Sequence, residues 1–217
     1  MHSSLALVIV TAATCCAIAM PSKRDRAGSV DWVNDANGQL IMTFSDEKTN
    51  MGTVSVQDIM DILNGACSET GNCDTNESDV DGQIIDGGRG GEVLDITVTV
   101  TPGGAFPTWI HNGLLETLHA ALDAAAECEE VTHTDDCVGT GLAYCPVNQC
   151  KLPKYFAVNY QAEDASNAAP PFIEAKLGLE VESNGFCAAF ATIGGAIAGA
   201  VNGAAGGVFS LIGLACQ

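Results

Sequence analysis

Ten cysteines, four histidines and a large excess of carboxylates are the residues of this 217-residue chain whose types could do chemistry. Eight of the cysteines lie beyond residue 24: Cys67, Cys73, Cys128, Cys137, Cys145, Cys150, Cys187 and Cys216. An even set reads either as zinc ligands or as a disulfide framework. No two of the eight form a CxxC pair, and His2, His111, His119 and His133 stand at no matching ligand spacing, which favours disulfides. Proximity in sequence points to Cys67–Cys73 as a loop staple and to Cys187–Cys216 as the closure of the C-terminal segment. Cys128, Cys137, Cys145 and Cys150 are then left to pair among themselves.

Other chemistries fare less well. Asp74, Asn76, Ser78, Asp79 and Asp81 cluster oxygens as a calcium loop does, but Asp79 stands where an EF-hand needs glycine and no Glu closes the ring. Gly87-Gly88-Arg89-Gly90-Gly91 lacks the Gly-Lys-Ser/Thr ending of a phosphate-binding loop and reads as a hairpin connection. His111 and His119 lie about two helical turns apart with no third ligand defined, which marks them as surface or boundary residues. No GxSxG, HExxH or Cys-His arrangement occurs, so no enzyme activity and no cofactor are expected; a secreted enzyme of unrecognised type is the residual alternative. Asn76-Glu77-Ser78 is a glycosylation acceptor in a polar stretch.

The N-terminus supplies the compartment in which such cysteines oxidise. Leu5 to Ala13 is an uncharged apolar run too short to span a bilayer, followed by Ala17-Ile18-Ala19, a small-x-small cleavage pattern. Residues 1–19 are read as a signal peptide. Residues 20–24 are read as a short pro-segment ending at Lys23-Arg24, a dibasic pair of the kind cut by fungal secretory proteases. Beyond Arg24 the chain keeps all 27 Asp and Glu but only six Lys and Arg, a net charge of about −21. That excludes nucleic acid as a partner, because phosphate binding needs clustered cations. The localisation expected is extracellular.

Residues 25–182 must then position whatever the chain presents. Leu40 to Phe44 suits a buried strand. Ser55 precedes Val56, Ile59, Met60 and Leu63 at i, i+3, i+4, i+7 spacing, with Asp58 at N3 and Asn64-Gly65 as a stop, which predicts a capped helix. Residues 67–92 read as loop. Glu92 to Thr101 alternates Leu94, Ile96, Val98 and Val100 against Asp95, Thr97, Thr99 and Thr101, a strand buried on one side. A long helix is expected from Thr108 to Cys128, then a cysteine-stapled loop, a strand at Phe156 to Tyr160 and an alternating strand from Phe172 to Glu182. This order predicts an α+β fold, an antiparallel sheet with two helices on one face, ferredoxin-like in arrangement.

Residues 183–217 form a separate apolar element. Phe186 to Ala215 holds no ionisable side chain except a thiol, and Gly195, Gly199, Gly203 and Gly207 recur every four residues. On a helix that ladder is one face, where backbones can approach closely. Three readings stand: a membrane-inserting element, a buried helical hairpin folded at Asn202-Gly203, or a GPI-attachment tail following Ser183-Asn184-Gly185. The hairpin brings Cys187 and Cys216 together, whereas one straight helix would hold them about 43 Å apart.

Signal peptide, Lys23-Arg24 site, acidic cysteine-stapled α/β core and apolar helical element together resemble the secreted fungal killer toxins of the salt-mediated and smut-virus type. No dibasic pair beyond Arg24 marks the second cut that divides those precursors into subunits. The resemblance implies a small α/β sandwich, shared with secreted fungal effectors, that acts on a target-cell membrane or cell-surface component. Self-association through the glycine ladder would accompany it. A GPI-anchored or wall-associated surface protein is the alternative that the C-terminal segment leaves open.

Overall fold

Along β1 (Gly38–Phe44) the side chains of Leu40, Met42 and Phe44 point into the core and are fully buried. That is the period-2 burial of a sheet covered on one side. The computed structural model that shows this describes residues 38–68, 71–85, 93–135, 143–161, 170–179, 183–184, 186–204 and 209–216. The signal peptide, the Lys23-Arg24 site, the GGRGG stretch, Cys137 and Gly207 therefore lie outside the described residues.

The remaining elements follow in order. β2 (Glu47–Asn50) leads to α1 (Val56–Ala66), β3 (Ser78–Ile85) and β4 (Val93–Ala105). A 3-10 turn, Thr108–Ile110, enters α2 (His111–Ala125), and β5 (Glu127–Asp135), β6 (Ala143–Pro153), β7 (Tyr155–Gln161) and β8 (Phe172–Leu177) come next. β9 (Ser183–Asn184), α3 (Phe186–Ala204) and β10 (Phe209–Cys216) complete the described chain. The strands form a six-stranded sheet in the order β10-β1-β7-β8-β4-β3 and a four-stranded sheet in the order β5-β6-β2-β9. Among the described residues, only the β1–β10 pair is parallel.

The core joins the inner face of the six-stranded sheet to the helices. Val98, Val100, Phe156, Val158, Ile173 and Leu177 meet Ile59, Met60 and Leu63 of α1 and Leu114, Leu118 and Leu122 of α2 in one cluster. α1 starts where its sequence says it should. Ser55 Oγ accepts from Asp58 N at 3.2 Å, and Asp58 Oδ2 accepts from Ser55 N at 2.8 Å, a reciprocal capping box.

The fold is therefore mixed α and β, with helices gathered over one sheet face, but the finer expectations fail in instructive ways. A ferredoxin-like sheet has four antiparallel strands; here the principal sheet has six, one of them parallel, and a second sheet flanks it. The helical hairpin is not formed: the segment's first half is α3, and its second half is β10. Without β10, strand β1 would end the sheet and leave its outer N–H and C=O groups unpaired, so an apolar run beside it gains more as a strand. Residues 78–85, read as loop for their Asp and Ser content, form β3. An edge strand tolerates carboxylates on its solvent face, and Thr99 and Thr97 of β4 donate to Asp79 and Asp81 across the pair. The stapled loop after α2 is a β-ribbon, in which Cys128 of β5 stands opposite Cys150 of β6.

Candidate functional site

Three parts of the fold converge at the start of α3. β9 pairs Asn184 with Glu47 and Ser183 with Lys48 on β2, which fixes the chain just before the helix. Asp46, in the turn between β1 and β2, then accepts from Cys187 N at 2.8 Å. The first N–H groups of a helix have no intrahelical partner, and a carboxylate there also meets the positive end of the helix dipole. Cys187 is disulfide-bonded to Cys216, the last residue of β10, which stands opposite Phe44 at the end of β1. A side-chain cap, a disulfide and a strand register thus clasp α3 at one end.

From that clasp α3 runs along α2 and β10, burying Ile197 and Val201 completely. The glycine ladder faces the other way. Gly195, Gly199 and Gly203 are exposed, and a methyl group placed on any of them would meet no atom within 4 Å. This argues against the buried-hairpin reading, in which the ladder packs inside the chain. Ile197 and Val201, two residues out of phase with the glycines, have far more apolar area to hide and take the inner face. The outer face holds Gly195, Ala196, Gly199, Asn202 and Gly203, with no charged side chain on it. A solvent-facing helix surface is ordinarily built from charged and polar residues.

The other sequence-derived sites are accounted for as follows. Cys67 is bonded to Cys73 and Cys128 to Cys150, and Cys145 is also disulfide-bonded. Disulfides of this number fit a protein that matures in an oxidising, extracellular route. Asn76 is exposed in the coil before β3, where its Nδ2 donates to Asp74 Oδ2 at 3.0 Å. Among the described residues no three His, Cys, Asp or Glu side chains come together to hold a metal ion, and none of their helices is long and apolar enough to cross a membrane. His111 is not a surface residue: it is buried, its ring stacks on Phe106 at 5.0 Å, and its Nε2 lies 2.6 Å from the carbonyl of Cys67. It ties the start of α2 to the Cys67–Cys73 staple. His119 is half-exposed, 3.5 Å from Asp123 one turn along α2.

No protein-family profile, curated protein or solved structure matches this chain. The geometry must carry the functional argument by itself.

Two further groups escaped sequence reading. Tyr155 Oη donates to Glu174 Oε2 at 2.7 Å on the outer sheet face. Burial first, and then this bond and the nearby negative charge, hold the phenol well above its ordinary pKa. Gln149, buried on β6, bonds both backbone groups of Ile85 on β3 and so bridges the two sheets. Neither Tyr155–Glu174 nor Asp46–Cys187 leaves a local signal, since the partners lie 19 and 141 residues apart. The Cys187 side of the clasp was legible, because a lone pair of cysteines brackets the apolar segment.

Proposed function

We propose that this chain is a secreted, disulfide-stabilised toxin or effector of the kind the killer toxins exemplify, and that it meets its target-cell membrane through the outer face of α3. The observation that carries this reading is the uncovered glycine ladder. A helix clasped at one end, apolar on its inner side and uncharged on its outer side presents a smooth surface that water does not favour. The remainder of the molecule is a strongly acidic body. A cleaved attachment tail fits less well, since removing residues after 183 would take Ile197 and Val201 from the core and strip β1 of its parallel partner.

Dye-loaded vesicles test the reading with the processed chain, residues 25–217. A net charge of about −21 opposes anionic lipid. At about 0.01 M salt, where that repulsion is not screened, leakage should therefore be stronger from zwitterionic vesicles at pH 7 and should rise on acidification. Gly199→Lys has room to fold, because nothing lies within 4 Å of the position, yet it sets an ammonium on the contact face. It should melt no lower than the native protein, and by helix propensity somewhat higher, yet lose leakage by at least tenfold. Equal leakage by wild type and Gly199→Lys, or none by either, defeats the proposal.

A further inference from the structure

Among the described residues, the outer edge of the six-stranded sheet is closed along only half its length. β3 is the last strand on that side. Its residues 83 and 85 turn their backbone groups away from β4, and both are met from within the chain. Thr53 N donates to Gln83 O at 2.9 Å, and Gln83 N donates to Thr53 Oγ1 at 3.0 Å. Ile85 N donates to Gln149 Oε1 at 3.0 Å, and Gln149 Nε2 donates to Ile85 O at 2.7 Å. By the alternation of an antiparallel pair, Asp79 and Asp81 aim their N–H and C=O groups the same way. Among the described residues nothing covers those two. Their carboxylates are turned onto the sheet face, where Thr99 and Thr97 donate to them. An uncovered stretch of edge strand is a template for pairing with another chain.

The Asn76-Glu77-Ser78 acceptor ends where that open half begins. Asn76 is exposed, lies in coil, and stands three and five residues from Asp79 and Asp81, about 10–17 Å along an extended chain. We propose that Asn76 carries an N-linked glycan whose role is to cover the open half of β3, completing a closure that Thr53 and Gln149 supply for the other half. In the modification, Asn76 Nδ2 forms a bond to the anomeric carbon of a lipid-linked oligosaccharide, the lipid pyrophosphate departs, and one Nδ2 proton is lost. The second Nδ2 proton remains for Asp74 Oδ2, so the existing hydrogen bond is compatible with the product. A bulky hydrophilic chain at this point occupies the space that an incoming strand would need.

The inference rests on the secretory reading, and one experiment separates their failures. The full chain is expressed in a eukaryotic host, and intact mass is measured on the secreted protein before and after endoglycosidase treatment. Glycan mass should be present in wild type and Ser78→Thr and absent from Asn76→Gln and Ser78→Ala. Sedimentation velocity should show glycosylated protein as monomer, and deglycosylated or Asn76→Gln protein associating with rising concentration. Asn76→Gln/Asp79→Pro should return to monomer, because proline at 79 removes an outward N–H and breaks no backbone bond to β4, losing there only the side-chain bond from Thr99. Export without glycan overturns the proposal and leaves secretion standing; failure of export overturns both. Deglycosylated protein that stays monomeric overturns the shielding role.

Discussion

Replacing the exposed ladder glycines by alanine tests the orientation of α3 by the sign of the result. Gly195 and Gly199 lie inside the helix with open space above each, and Gly203 lies in its last turn. A methyl group added there makes no contact in the folded protein, so the backbone entropy that glycine loses on folding decides the outcome. Alanine is favoured by about 0.8–1.0 kcal/mol per interior helix site, and by less in a terminal turn that frays. The triple variant should therefore gain about 2–3 kcal/mol, which in a chain of this size raises the melting temperature by roughly 5–10 °C. Thermal and urea melts of residues 25–217 under oxidising conditions would measure it. If the ladder were instead a tight packing face, each substitution would be an overpacking change costing about 1–3 kcal/mol. A loss of stability at Gly195→Ala or Gly199→Ala refutes the outward orientation, and with it the surface on which the proposed function rests.

Gly52 has a positive φ of 54°, and a side chain there would collide with the carbonyl of Gln83. Gly52→Ala should cost about 3 kcal/mol, from left-handed backbone strain and loss of the Thr53–Gln83 bonds, read as a lower urea midpoint at unchanged slope. Thr117 is fully buried in α2, with no hydrogen-bond partner for its hydroxyl among the described residues. Thr117→Val should therefore stabilise by about 1 kcal/mol in the same melts, and a loss would show that the hydroxyl is bonded. Tyr155 has a raised pKa in the folded state, so its contribution is complete below pH 10 and falls away as pH climbs toward the folded value. Melting curves between pH 9 and 12 should show wild type losing stability more steeply than Tyr155→Phe; parallel curves would remove the linkage.

What could be read from the chain was local. The Ser55 capping box, the inner stripe of α1, the apolar run of β1, the strand at β7 and the alternation of β8 each lie within a few residues, and each element forms, although β8 stops at Leu177, short of the Glu182 that its alternation reaches. β4 shows where alternation weakens: Val98 and Val100 are buried, but Leu94 is 60% exposed, because the strand runs beyond the helices toward the hairpin end. Residues 78–85 hid as a strand because an edge position accepts the Asp and Ser content that elsewhere marks a loop. The second half of the apolar segment could not be assigned by period, since a short uninterrupted apolar run fits helix and strand alike. The unpaired edge of β1 decides it, and β1 lies some 170 residues away. Four-residue spacing likewise defined a glycine face without saying which side of α3 it occupies. That depended on Ile197 and Val201 competing for α2.

The distribution of charge gives the outward face its physical sense. All 27 carboxylates fall between Asp25 and Glu182, and residues 183–217 carry none. α3 packs on α2, whose own exposed carboxylates are Glu116 and Asp123. Helices in contact lie about 8–10 Å apart, so a surface touching α3 stands roughly one further helix radius from those charges. The Debye length is about 8 Å at physiological ionic strength and about 30 Å at 0.01 M. At physiological salt the acidic body is largely screened from whatever α3 touches, whereas at low salt its repulsion reaches through the helix. On the proposed function, the uncharged element would serve as a spacer as well as a contact. It would let an acidic protein approach a surface that otherwise repels it, while the clasp of Asp46 and Cys216 on Cys187 holds the helix in place.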